Sequence, residues 1–156
     1  MWWEEGSQPV ELLLNKKVAM TSAWSGRIFN AVNEGSENFA IIWDGQIWDM
    51  DMWVIPKGTA NHKEALDFIE FASDPKRMAV QTDHIAYAPV RKSAMALIDD
   101  RVRKYLPTAK ENAGNVLRIG YGWWATNPQA AAMEERFTQW RVEKPWRYNF
   151  NRLDGN

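Results

Sequence analysis

Ile47-Trp48-Asp49-Met50-Asp51-Met52-Trp53-Val54-Ile55-Pro56-Lys57-Gly58 is the stretch on which the fold turns. Its apolar residues run to Ile55 and stop at a Pro-Lys-Gly break, the pattern of a strand bounded by turn residues. Asp44-Gly45 ahead of it is a turn signal, and Phe39-Ala40-Ile41-Ile42-Trp43 is an apolar run too short for a helix. Two strands about a turn are therefore the simplest reading. Alternate side chains of a strand share a face, which would set Asp49 and Asp51 together, about 6–7 Å apart, on the side of Ile47, Trp53 and Ile55. Two carboxylates on an apolar face need explaining.

Upstream, Ser7-Gln8-Pro9 followed by Val10, Leu12, Leu13 and Leu14 reads as a helix start with proline in its first turn, ending at Asn15-Lys16-Lys17. Val18 to Ala23 reads as a strand that delivers Trp24 to a loop at Ser25-Gly26. A helical pattern then resumes over Arg27 to Val32 and stops at Gly35. Downstream, Asn61 and Glu64 form a variant capping box before Ala65, Phe68, Ile69 and Ala72 at helical spacing. Asp74-Pro75 opens another helix, His84 to Pro89 reads as extended, and Ser93 caps a third helix bearing Ala94, Leu97 and Ile98. Gly120-Tyr121-Gly122-Trp123-Trp124 reads as a loop. Asn127-Pro128 caps a last helix with Ala130, Met133, Phe137 and Trp140 on one stripe. Strands alternating with helices point to an α/β fold.

Composition narrows the function. The 156 residues carry 19 basic and 20 acidic side chains, a net charge of -1, so no basic field recruits nucleic acid or an anionic membrane. Cysteine is absent, which excludes thiol chemistry and disulfides. No apolar run approaches the roughly 20 residues of a spanning helix, so direct membrane insertion is not expected, and the N-terminus lacks the pattern of a signal peptide. Ten tryptophans are the unusual feature. They would either fill core or line a ligand box with rings.

The order Trp24-Ser25-Gly26-Arg27, Asp44-Gly45, Asp49-Met50-Asp51 and Val54-Ile55-Pro56-Lys57-Gly58 resembles the bacterial periplasmic spermidine/putrescine-binding proteins. Asn61 to Pro75 and Tyr87-Ala88-Pro89-Val90 are similar to further segments of that family, and the likeness runs from Trp2 to Trp140. It implies a type II periplasmic-binding-protein fold, incomplete here: two α/β lobes close over a ligand by a hinge. It also implies that this chain is a C-terminal fragment lacking half of the first lobe. Residues 1–51 would belong to lobe two with the cleft strand, 52–93 to a hinge crossover and lobe-one segment, 94–142 to a return to lobe two, and 143–156 to a C-terminal tail. The crossing segment would then lack its sheet partners. The implied role is the solute-binding component of an ABC importer, periplasmic, with a polyamine or related cation and a membrane permease as partners. Neither enzymatic activity, metal nor cofactor is implied.

A polyamine is a row of ammonium groups joined by methylenes, and suits carboxylates and indole faces. Trp24 and Asp51 occupy the matching ring and carboxylate positions of the resemblance, Ser25 adjoins the ring, and Trp123 and Trp124 fall near a late loop that faces ligand in relatives. Asp49 stands where the spermidine-binding pattern has an aromatic residue. Trp48, one position away, would face the other side of a strand unless a bulge intervened. An extra acid would suit a ligand with another positive group, or would pair with Arg27. Trp43 and Trp53 are assigned to core or hinge packing. A sugar receptor of the same architecture could also use stacked rings, and Asp44, Asp49 and Asp51 could suggest a glycoside hydrolase, although nothing places a matched acid opposite them. His62 and His84 lack the close spacing of a zinc motif, and no Gly-x-Ser-x-Gly turn occurs.

Overall fold

The computed structural model describes residues 2–35 and 38–143. The described residues divide into two compact units: Glu5–Arg118, and a smaller one joining those before Glu5 to those from Ile119 onward.

In the larger unit, helix α1 (Gln8–Leu14) has Pro9 in its first turn, where the missing N–H costs nothing. Helix α2 (Ser25–Asn33) buries Gly26, Ile28, Phe29 and Ala31 on one face. It ends as the sequence reads, with Gly35 in the left-handed region at φ 105°. Strand β1 (Gln46–Trp48) follows the Asp44-Gly45 turn. Helix α3 (His62–Ala72) forms at the apolar repeat, but the Asn61 side chain makes no capping bond. Helix α4 (Pro75–His84) is capped as expected: the Asp74 carboxylate accepts the N–H groups of Lys76 and Arg77 at 3.0 and 3.1 Å. Two short helices follow, α5 (Lys92–Met95) and α6 (Asp100–Arg103), then strand β2 (Val116–Arg118).

Strands β1 and β2 pair in parallel, with Gln46 opposite Val116 and Trp48 opposite Arg118. Side chains lock the pair in place. Gln46 Nε2 donates to the carbonyls of Pro107 and Asn112, and Asn112 Nδ2 to those of Lys104 and Leu106. The core lies beside this network, where Phe29, Ala79, Ala86, Ile98, Val102 and Leu106 pack with Met95 and Tyr105. The smaller unit holds helices α7 (Tyr121–Thr126) and α8 (Ala130–Glu143). There Trp2 meets Phe137 and Trp140 edge-on, with ring centroids 5.6 and 5.7 Å apart.

Several sequence expectations are corrected. Val18–Ala23 and Phe39–Trp43 form no strand, and the strand expected over Ile47–Ile55 stops at Trp48. A strand needs a neighbour for its backbone groups, and among the described residues these stretches have none in register. Ser25-Gly26 opens α2 instead of breaking a run, with Trp24 as the extended residue before it. Ser93 lies inside α5, whose cap position is Arg91. Tyr121–Trp124 is helix, not loop, with Gly120 at its cap position: Trp124 N–H donates to the Gly120 carbonyl, Thr126 Oγ1 to that of Gly122, and neither glycine has positive φ. The tryptophans fill no core either, since among the described residues none is fully buried. Of the tail expected over 143–156, residues 144–156 lie outside the described residues.

Leu106 is 0% exposed at the centre of the core. Leu106→Ala should lower the unfolding free energy by about 2–5 kcal/mol, the usual cost of a buried cavity of that kind, measured by urea denaturation.

Candidate functional site

The start of α2 sets the site. Gly26 packs so closely under Ile85 and Tyr87 that a β-carbon there would lie 2.7 Å from Tyr87 Cε1 and closer still to Ile85. Only glycine lets the two segments meet at this distance. On the other side, Gly6 offers the same close approach to the indole of Trp24. The ring is thus held from beneath while 53% of the residue remains exposed. Ser25 is half-buried in the first turn and Arg27 is exposed.

Tyr87 reports what surrounds it. Burial pushes its phenol above the ordinary value of 10.0, the positive charge of Arg27 pulls it back, and the negative charge of Asp51 pushes it further up. Both charges therefore act at the Tyr87 hydroxyl. An exposed indole, an exposed guanidinium and a partly buried phenol meet around Gly26, a set that can stack on an alkyl chain and pair with a negative charge. Tyr87 was not singled out from the sequence. It belongs to the segment Tyr87-Ala88-Pro89-Val90, and only its packing against Gly26 sets it beside Trp24 and Arg27.

The other expected residues fare differently. Asp49 and Asp51 are both exposed, and Asp49 Oδ1 accepts the N–H of Met50 at 2.8 Å. Because β1 ends at Trp48, no ladder enforces the shared face expected for the two aspartates. Asp44 is occupied, accepting from Asn115 Nδ2 at 2.9 Å. The ring of Trp48 lies 5.1 Å from the Arg118 guanidinium of the adjoining strand. Trp53 is not core: it is 62% exposed and packs edge-on to Phe68 at 5.1 Å. Trp123 and Trp124 belong to the smaller unit, on α7, edge-to-face with ring centroids 5.0 Å apart. His62 and His84 sit exposed at helix ends. Among the described residues no His, Cys, Asp or Glu cluster could hold a metal ion, and no helix is long and apolar enough to cross a membrane.

Comparison with known proteins gives this geometry a family. The chain overlays solved periplasmic binding proteins over most of its length. One is the PBP AgtB from A. tumefaciens R10 in complex with agropinic acid, at TM-score 0.76 and 30% identity, covering 90% of this chain and 43% of that one. Another is the Atu4243-GABA receptor, at TM-score 0.77 and 27% identity, covering 90% and 42%. The fold is thus a part of the periplasmic-binding-protein fold. Residues 1–110 match the family described as bacterial extracellular solute-binding protein, and the chain belongs to that family. Its members are binding proteins rather than enzymes, which sets aside the glycoside-hydrolase alternative. Similar curated proteins are the gamma-aminobutyric acid-binding protein of Pseudomonas aeruginosa, 37% identical over 89% of this chain, and the putrescine-binding periplasmic protein PotF of Escherichia coli, 28% identical over 63%. The chain spans 39% and 28% of their respective lengths.

The charges around Tyr87 can be tested by titration. Nuclear magnetic resonance of ring-labelled tyrosine, assigned with Tyr87→Phe, should show the Tyr87 midpoint falling in Asp51→Asn and rising in Arg27→Gln. Removing a negative charge eases ionisation of a phenol, and removing a positive one opposes it.

Proposed function

We propose that this chain is part of the solute-binding component of an ABC importer, working outside the cytoplasmic membrane with a membrane permease. We further propose that its solute is a small molecule bearing an ammonium group, held by Asp51 and Trp24. The observation that carries the reading is the close packing of Gly26 on Tyr87, which sets the exposed ring of Trp24 and the exposed Arg27 beside that phenol, where the negative charge of Asp51 is also felt. An ammonium only donates hydrogen bonds, so it needs a carboxylate to accept them, and an indole face stabilises both the charge and the methylenes beside it. Trp123 and Trp124 are proposed to contribute rings in the complete protein, and Ser25 a hydroxyl.

Gamma-aminobutyric acid and putrescine, named for two relatives, share an ammonium on a short methylene chain and differ at the far end. Arg27 favours a far end that is a carboxylate, hence an ω-amino acid. A polyamine is the second reading, and its support is Asp49, a second carboxylate close in sequence to Asp51 and equally exposed. A sugar would offer Asp51 no charge to neutralise.

Calorimetry on a chain completed to the relatives' length with the corresponding part of the Pseudomonas aeruginosa protein tests these readings. Asp51→Asn should weaken binding of gamma-aminobutyric acid or putrescine at least tenfold, on the order of 1.4 kcal/mol, with folding checked by thermal melting. Truncating one partner of a buried charge pair typically costs about 2–5 kcal/mol, so tenfold is a low threshold. Asp44→Asn should do less, because Asn115 already occupies that carboxylate. Arg27→Gln should weaken the amino acid and spare the diamine. Unchanged affinity in a folded Asp51→Asn protein would remove the cation site.

A further inference from the structure

Gly6 lies in a turn whose ends are tied together. Gln8 N–H donates to the Glu5 carbonyl at 3.1 Å, and Glu5 N–H to the Gln8 side-chain oxygen at 3.2 Å. Pro9, next in the chain, is fully buried and anchors the turn in the larger unit. The backbone at Gly6 does not itself call for glycine, since its φ is not positive. What stands in the way of a side chain is Trp24. A β-carbon at residue 6 would have three indole atoms as its nearest neighbours: Cε3 at 2.7 Å, Cη2 at 3.3 Å and Cζ3 closer than either. All three belong to the six-membered ring, the far end of the side chain.

Gly26 shows the contrast. There the obstructing atoms belong to Ile85 and Tyr87, which flank the fully buried Ala86 of the core. At Gly6 the obstructing group is an indole in a residue that is 53% exposed. Its backbone is held separately, because Trp24 is the extended residue before α2 and its carbonyl accepts the N–H of Arg27 at 3.0 Å. A side chain at residue 6 would therefore swing the indole to another rotamer and leave turn and helix in place.

We propose that Gly6 is a specificity-determining residue of the solute site. Its missing side chain lets the Trp24 indole lie back against the turn, and so sets the room in front of the ring for the methylenes of the solute. The inference rests on the reading of Trp24 as the ring that stacks on an amine. The size of residue 6 then tunes affinity through the indole alone. Because the ring meets the methylenes, which gamma-aminobutyric acid and putrescine share, both solutes feel the change alike, unlike the effect expected of Arg27.

The test uses the chain completed to the relatives' length. Gly6→Ala should leave the thermal melt and the Tyr87 titration unchanged, and should shift the indole N–H resonance of Trp24, assigned with Trp24→Phe. Calorimetry should show gamma-aminobutyric acid and putrescine both weakened by about fivefold, within the range of an indole–cation contact. In a Trp24→Phe background, where the six-membered ring that meets residue 6 is gone, Gly6→Ala should cost nothing further. An unmoved Trp24 resonance, unchanged affinity for both solutes, or the same loss in the Trp24→Phe background would overturn the proposal. If Trp24→Ala itself leaves both affinities intact while Gly6→Ala still moves the resonance, the stacking role of Trp24 is overturned, and the control of the ring by Gly6 stands.

Discussion

Gly26 is a point where two parts of this chain are held in close contact. With a hydrogen in place of a side chain, the first turn of α2 lies directly against Ile85 and Tyr87, and no other residue leaves room. The contact joins two segments far apart in sequence and fixes the helix that supplies Phe29 to the core. It also orders the exposed wall. Trp24 precedes this glycine and Arg27 follows it, so both take their positions from one backbone approach, and Gly6 supports the indole from the other side. An added methyl at Gly26 would disturb core and site together.

The chemistry of that wall depends on what covers it. Arg27 and Asp51 are exposed, and exposed charges bind counter-charges weakly because water competes and salt screens. Their worth to a solute rises when a second surface excludes water. The stretch from Asp51 to Ile55, exposed at Met52, Trp53 and Val54, therefore matters to the site, since whatever covers it also lowers the dielectric around Asp51. A family in which two lobes close over a solute supplies such a surface by hinge motion.

What the sequence disclosed follows the range of the interactions involved. Asp74-Pro75 announced α4 because the cap is closed by N–H groups two and three residues away. The ends of α1 and α2 were legible for the same reason. Strands were not: Gln46–Trp48 is ordered by β2, far along the chain, while Val18–Ala23, Phe39–Trp43 and Asp49–Ile55 have strand composition but join no ladder among the described residues. Glycine misled in one place and was underread in another. At Gly120 and Gly122 it sits in or beside ordinary helix, and at Gly26 it marks a close approach that no local pattern reveals. Trp24 and Asp51 came from the order of motifs, whereas Tyr87 needed the packing.

The central claim is that Trp24, Arg27, Asp51 and Tyr87 form one face of a solute site. The most direct measurement is a crystal structure of the chain completed to the relatives' length, grown with gamma-aminobutyric acid or putrescine. An ammonium nitrogen should lie within hydrogen-bond distance of the Asp51 carboxylate, with the methylenes against the Trp24 indole and the Tyr87 ring still seated on Gly26. A solute bound elsewhere, with Asp51 in water and Trp24 uncovered, would contradict it.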